Sequence, residues 1–194
     1  MAQLHLPHMP HFERWETFAR SHISVWTLLL LYALPLSVVP PIMIYYAGGT
    51  YGGHLLPVLS DKQLQIIAIV FFLAELVMTF LVAYIIQRFG EVVDIKPSFE
   101  DAYKLAVVAP TPLWLAPLFL FIPSIIFNVT IVAAALIISG ILIFYSAPSI
   151  LKVDEKGHAI LLSGSILAAG LVAWAVMMFL TLLTWSFVTS SPLL

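Results

Sequence analysis

The chain of 194 residues has no cysteine and little charge, with only 9% of its residues charged. The absence of cysteine excludes disulfides, thiolate metal sites and cysteine nucleophiles. Eight Lys and Arg residues stand against ten Asp and Glu residues. The basic excess that neutralises phosphates in a nucleic-acid complex is therefore missing, and we expect no nucleic-acid partner.

The motifs of common enzyme classes are also missing. We find no HExxH, no GxSxG and no glycine-rich phosphate loop, which are the patterns that place metal ligands, nucleophiles and phosphate-binding amides. The sequence thus predicts a protein that is not an enzyme and needs no cofactor.

Apolar side chains fill most of the remaining sequence. Hydrophobic residues make up 62% of the chain and the mean hydropathy is +1.06, whereas a soluble domain is about 45–50% apolar and about 25% charged. This composition excludes a water-soluble enzyme and a disordered chain. It predicts an all-α integral membrane protein whose first partner is the lipid bilayer.

The positions of the few charges set the number of membrane spans. A spanning helix needs about 20 apolar residues, and the charge-free stretch over residues 105–151 has room for two of them. Glycines and prolines mark the breaks between helices. We predict a cytoplasmic segment over residues 1–22, a membrane domain over 23–188 and an outer tail over 189–194. Within the domain we predict five spans, at residues 23–47, 64–87, 102–122, 127–147 and 159–187.

Prolines are expected to shape the third and fourth spans. Each proline lacks a backbone donor and clashes with the preceding turn of a helix. Pro110, Pro112 and Pro117 therefore predict a kink or break in the third span, and Pro148 is expected to close the fourth.

Lys and Arg residues indicate the orientation. With alternating loops, seven of the eight fall on the side of the amino terminus, and only Lys62 falls on the other side. Because cytoplasmic loops are enriched in these residues, we predict a cytoplasmic amino terminus and an outer carboxyl terminus.

An amphipathic segment precedes the first span. Phe12, Trp15 and Phe18 recur at every third position, and Glu16 and Arg20 have the spacing of a helical ion pair. The pattern predicts a short helix that lies in the membrane interface. The alternative is that these residues only begin the first span.

Glu75 lies about halfway along the second predicted span. A charged side chain at that depth costs about 2.5–3.5 kcal/mol on insertion scales, so it must face protein or a cavity, or be protonated. It is a candidate proton or cation site, or a contact to a partner. The alternative is that it only joins helices by a hydrogen bond, for which Thr79, one turn away, is the candidate partner.

Three histidines near the amino terminus, His5, His8 and His11, are weak candidates for a metal site. Pro7 and Pro10 between them favour a polyproline II conformation, in which residues three apart lie roughly 9 Å from each other. Since one ion does not bridge that distance without a turn, a contact to a partner or a lipid headgroup is the favoured interpretation.

Small residues form stripes in the fifth predicted span, where they let two helices approach closely. The stripes favour helix packing inside the bundle, with a specific oligomer interface as the alternative. Their members are Gly164, Ser165, Ala168, Ala169 and Ala173.

A further set of residues carries a family resemblance. It comprises an aromatic entry to the third span, the prolines that follow, a tyrosine three residues before a proline and a Lys-x-x-x-Lys loop: Phe99, Tyr103, Pro112, Pro123, Tyr145, Pro148, Lys152 and Lys156. With these features, residues 12–188 resemble the bacterial branch of the Yip family of Rab/Ypt-interacting membrane proteins.

The resemblance implies a five-helix membrane domain with a cytoplasmic amino terminus, located in a bacterial cytoplasmic membrane. Eukaryotic members of the family contact small GTPases through a long cytosolic segment and short motifs. This chain has no counterpart of those motifs, so the resemblance implies the fold rather than GTPase recruitment.

Three functions follow as hypotheses. The first is a non-catalytic subunit or organiser of a larger membrane assembly, with other membrane subunits or copies of itself as partners. The second is a small transporter or channel that uses Glu75. The third is a membrane enzyme acting on a lipid, for which Asp94, Glu100 and Asp101 are the candidate ligands at the interface.

Overall fold

The computed structural model describes residue 21, residues 23–51 and residues 58–190. The predicted interfacial helix over residues 12–20 lies outside the described residues, as do most of the outer tail and the three candidate metal ligands His5, His8 and His11.

Five helices in the described chain are long and apolar enough to cross a membrane. They are α1 (Val25–Tyr51), α2 (Asp61–Val92), α3 (Phe99–Phe121), α4 (Ile125–Leu151) and α5 (Lys156–Ser190). The described residues contain no strand. The predicted all-α fold with five spans is thereby confirmed, while the orientation in the membrane stays a prediction.

Serine side chains fix the starts of the first four helices. Ser24, Ser60, Ser98 and Ser124 each accept a hydrogen bond from a backbone N–H of the first turn. At Ser60 the side chain of Gln63 also accepts from the serine backbone, which completes a capping box. Local sequence therefore determines where these helices begin.

Prolines interrupt α1 and α3. In α1 a π-helical turn over Leu29–Ala33 comes just before Pro35, which cannot donate a backbone hydrogen bond. In α3 the first segment, Phe99–Val108, ends before Pro110, and a short helix and a 3-10 turn over Ala116–Phe121 follow. The third span is thus broken where its prolines predict a break.

The helix limits differ from the predicted span limits by one to five residues, and two of these differences have a clear local cause. Helix α3 starts at Phe99 instead of residue 102, because Ser98 caps it. The expectation that Pro148 closes the fourth span is wrong, since α4 continues through Pro148 to Leu151. The helix ends instead at Lys152, whose φ of 58° is left-handed, a common helix-terminating conformation.

Helix α2 packs against α1, α3 and α5, and α4 packs against α3 and α5. Because successive helices run in opposite directions, the loops over residues 93–98 and 152–155 lie at the same end of the bundle. We call this the charged end, since it also carries Arg88, Lys104 and His158. At the opposite end, Gln63 Nε2 donates to the Val188 carbonyl at 3.0 Å.

Candidate functional site

A cavity of about 250 Å³ lies between the helices and is partly open. Side chains from α2, α3, α4 and α5 form its wall, and α1 contributes Pro40. Most of the wall is apolar, and of the described residues that line it Glu75 alone is charged. Hydroxyl groups come from Thr79 and Ser139.

The Glu75 carboxyl group is buried in this wall. Its Oε2 atom is shielded from solvent, and no hydrogen-bond partner for that atom is found in the described part of the chain. The indole of Trp114 on α3 is the neighbouring side chain that can donate to the carboxyl group. Glu75 therefore retains hydrogen-bonding capacity that the described protein does not use.

Thr79 does not form the hydrogen bond to the Glu75 carboxyl group for which its spacing made it a candidate. Its hydroxyl donates to the Leu76 carbonyl at 2.7 Å and lies 3.4 Å from the Tyr103 hydroxyl. Both Thr79 and Tyr103 are buried. Thr79 thus connects α2 to α3, and the expected bond to the Glu75 carboxyl is not formed.

A second polar site lies at the charged end. Lys104 is completely buried, with its Nζ 3.7 Å from Asp101 Oδ1 and 2.6 Å from the Ser21 carbonyl oxygen to which it donates. Lys152 Nζ donates to Asp101 Oδ2 at 3.1 Å. We call Asp101, Lys104, Lys152 and the Ser21 carbonyl the ion cluster.

Local sequence places two members of the ion cluster, Asp101 and Lys104, on one face of α3. Ser98 caps α3 through the backbone N–H of Asp101, and an acid in the first turn interacts favourably with the helix dipole. Lys104 follows three residues later, on the same face. Sequence reasoning used Lys104 only to predict orientation and missed the cluster, although the Ser98-x-x-Asp101-x-x-Lys104 spacing was a usable signal.

The residues that carry the family resemblance have different environments. Tyr103 is buried between rings of Phe80 and Phe99, whose centroids are 4.9 Å and 6.2 Å away. Pro112 and Pro148 are partly buried, whereas the others are exposed: Pro123, Tyr145, Lys152 and Lys156. Within this set, only Lys152 joins the ion cluster.

The small residues of α5 do not share one environment. Ala173 lines the cavity, whereas Ala168 is exposed and a methyl group on Gly164 would meet no atom within 4 Å. Ala169 is partly buried and the Ser165 hydroxyl donates to the Leu161 carbonyl. The packing role of the stripe and its alternative as an oligomer interface both stay predictions.

Two other glycines lie where α4 and α5 meet. A methyl group on Gly140 would lie 3.4 Å from Leu167 Cδ1, and one on Gly170 would lie 3.9 Å from Ile143 Cδ1. Both glycines also line the cavity. Because these residues have no side chain, α4 and α5 can approach each other closely there, and space remains for the cavity.

The three acids that were candidate ligands for lipid chemistry have different environments. Asp94 and Glu100 are exposed, while Asp101 is held in the ion cluster. Within the described ranges, no three His, Asp or Glu side chains come together as metal ligands. These acids therefore do not converge in the way that the third hypothesis requires.

Comparison with known proteins identifies the family. The family model described as the Yip1 domain matches residues 10–177, which is most of the chain. No curated protein and no solved structure matches the chain. The chain belongs to the Yip1 domain family and is a multi-pass membrane protein with five candidate spans.

Proposed function

We propose that this member of the Yip1 domain family is a non-catalytic subunit or organiser of a larger assembly in the bacterial cytoplasmic membrane. Its amino terminus is cytoplasmic, and its partners are other membrane subunits or further copies of the chain. The single observation that carries the proposal is the charged end of the bundle.

An ion pair and a histidine–glutamate contact cover the charged end. Arg88 Nη1 lies 2.8 Å from Glu91 Oε2, and His158 Nδ1 lies 3.0 Å from Glu155 Oε2. In the described chain, every Lys and Arg except Lys62 lies at this end. The asymmetry supports a cytoplasmic location for the charged end. It also provides a charge pattern that a partner with the complementary pattern can recognise.

Contacts between helix ends and within the loop over residues 93–98 stabilise the conformation of the charged end. The ion cluster joins the starts of α1 and α3 to the end of α4. The Ile95 backbone N–H donates to the Gly90 carbonyl at 2.8 Å, and a methyl group on Gly90 would lie 2.5 Å from Pro97 Cδ. A surface that is already ordered loses less conformational entropy on binding. This supports a role in docking.

Co-purification in mild detergent tests the docking role. We expect Arg88→Glu with Lys96→Glu, both exposed at the charged end, to release partner subunits that the unmodified protein retains. Lys62→Glu, exposed at the opposite end, is the matched control and should retain them. Equal retention by both variants, or a lone monomer from the start, would contradict the proposal.

Cysteine labelling tests the orientation separately, because the chain has no cysteine of its own. With an impermeant maleimide on intact cells, we expect Ser190→Cys to react and Lys96→Cys to react only after the membrane is opened. The reverse pattern would show that the charged end is outside.

A second candidate function is transport through the cavity, because the cavity reaches Glu75. In proteoliposomes, Glu75→Gln should abolish flux of the transported ion or solute while the protein still inserts. Glu100→Gln, which changes an exposed acid at the charged end, is the control. Undiminished flux in Glu75→Gln would remove this candidate.

A further inference from the structure

The cavity is partly open, and the exposed residue of its described lining, Leu171, lies at the middle of the bundle instead of at an end. Leu171 lines the cavity and is 46% exposed on the bundle surface. It lies near the centre of α5, which runs over Lys156–Ser190. In a membrane, this position faces the hydrocarbon region. A molecule that enters beside Leu171 must therefore come from the bilayer.

The cavity is long and narrow. Its wall extends along α2 from Phe71 to Ile86, which is about 22 Å at about 1.5 Å per residue. The volume of about 250 Å³ holds on the order of eight non-hydrogen atoms, at the roughly 30 Å³ that a water takes in the liquid. These dimensions fit part of an alkyl chain, with the remainder leaving through the lateral opening.

Two buried polar atoms of the described wall have no hydrogen-bond partner there, the Ser139 hydroxyl and, as the stronger acceptor, Glu75 Oε2. Glu75 Oε2 is buried and unpartnered within the described chain, and the side chains around it are mostly apolar. A polar atom left unpaired in such surroundings destabilises the folded protein. A ligand that brings an N–H or O–H group to Oε2 removes this cost.

We propose that the cavity binds a membrane amphiphile with an alkyl chain and a single amine or hydroxyl group, which pairs with the Glu75 carboxyl. An amine is the better match because one proton is shared between the two groups. The pair stays neutral overall whichever group holds that proton, so no net charge is buried.

A chain that ends in a carboxylate is the poorer match. Its acid would lie beside Glu75, and two neighbouring carboxyl groups disfavour each other's ionisation. The wall offers no described Lys or Arg to compensate. The cavity should therefore discriminate between amphiphiles by headgroup as well as by their alkyl chain.

This inference concerns the cavity of the transport candidate but does not depend on transport. Binding is measured without flux, so a ligand bound without transport would support this inference and count against the second function. The organiser role, which rests on the charged end, is tested by partner retention and can fail independently.

Photocrosslinking tests the site directly. The protein in lipid nanodiscs is treated with an alkylamine that carries a diazirine on its chain, and the modified residues are mapped by mass spectrometry. We expect modification at cavity residues such as Met178 and Leu136, and competition by unlabelled alkylamine. Modification spread evenly over lipid-facing residues, without competition, would overturn the proposal.

Two matched substitutions on α5 distinguish probe binding in the cavity from probe binding on the bundle surface. Ala173→Leu adds volume to the wall, whereas Ala168→Leu makes the same change at an exposed position. We expect Ala173→Leu to suppress cavity crosslinking and Ala168→Leu to leave it unchanged. Equal crosslinking in both variants would contradict the assignment. Competition in the unmodified protein remains decisive if Ala173→Leu does not fold.

The headgroup is tested with Glu75→Gln and with probes of equal chain length. The unmodified protein should favour the alkylamine over the alkyl carboxylate. Glu75→Gln should weaken alkylamine competition about tenfold, which corresponds to about 1.4 kcal/mol. An unchanged preference in Glu75→Gln would show that the carboxyl group does not recognise the ligand.

Discussion

Glu75 and Lys104 are both ionisable and both set into the bundle, but their surroundings are opposite. Lys104 is completely buried and its Nζ contacts Asp101 and the Ser21 carbonyl. Glu75 faces a cavity, and its Oε2 has no partner in the described chain. Lys104 thus connects helices, whereas Glu75 retains an oxygen atom that can accept a hydrogen bond from a ligand.

The positions of the two groups explain the difference. Burying a charge is costly, and the cost is offset only by a partner at good geometry. Lys104 lies near the start of α3, where the Asp101 carboxylate and the Ser21 carbonyl oxygen supply partners, and Lys152 pairs with the same carboxylate. Glu75 lies mid-helix among apolar side chains. Because an acid among apolar side chains is costly, we associate Glu75 with the binding proposed above.

The strongest test of this contrast is Asp101→Asn. The substitution removes the carboxylate that lies 3.7 Å from the buried Lys104 Nζ, so we expect the free energy of unfolding to fall by about 3–5 kcal/mol. Denaturant unfolding in detergent measures this loss. Glu100→Gln, at the exposed neighbouring acid, is the control and should change little. Equal stability of the two variants would show that the ion cluster does not hold the charged end.

Glu75→Met should have the opposite sign. Replacing a carboxyl group whose buried Oε2 is unpaired in the described chain by an apolar side chain of similar length removes a cost of about 1–3 kcal/mol. We therefore expect the free energy of unfolding to rise. Gln65→Met, exposed on the same helix, is the control in the same assay. A marked loss of stability in Glu75→Met would show that Glu75, like Lys104, stabilises the fold, and the two groups would then not differ in role.

Lys152→Ala should have the smallest effect. The Lys152 side chain is 56% exposed, and an exposed ion pair contributes about 0.2–1 kcal/mol. We expect a loss within that range that shrinks at high salt, because screening weakens exposed pairs. Comparison with Lys156→Ala, an exposed lysine at the start of α5, isolates the bond to Asp101. A loss as large as that of Asp101→Asn would make Lys152, not Lys104, the main partner of Asp101.

Much of the fold was predictable because its signals are local. Charge-free stretches mark the spans, and Pro110 breaks α3 by removing a backbone donor. Pro148 was misleading, because α4 continues for three residues beyond it and ends at the left-handed Lys152. A proline indicates where a helix is strained, but the surrounding packing decides whether the helix stops.

The candidate site was predictable only in part. Glu75 stood out in the sequence because an acid is rare at that depth. The direction of Thr79 could not be inferred from its spacing, since Tyr103 on another helix provides its contact. Lys104 looked like one more loop cation, and its burial depends on Asp101, Ser21 and the packing of α3.

The sequence alone determined that this chain is a five-span membrane protein with one intramembrane acid. Composition, charge spacing and serine caps act over a few residues, and no distant contact is needed to interpret them. Only the tertiary structure decided that Glu75 faces a partly open cavity while Lys104 is buried beside Asp101 and the Ser21 carbonyl. Cavities and ion clusters join residues far apart in the chain, so they exist only once the helices have packed.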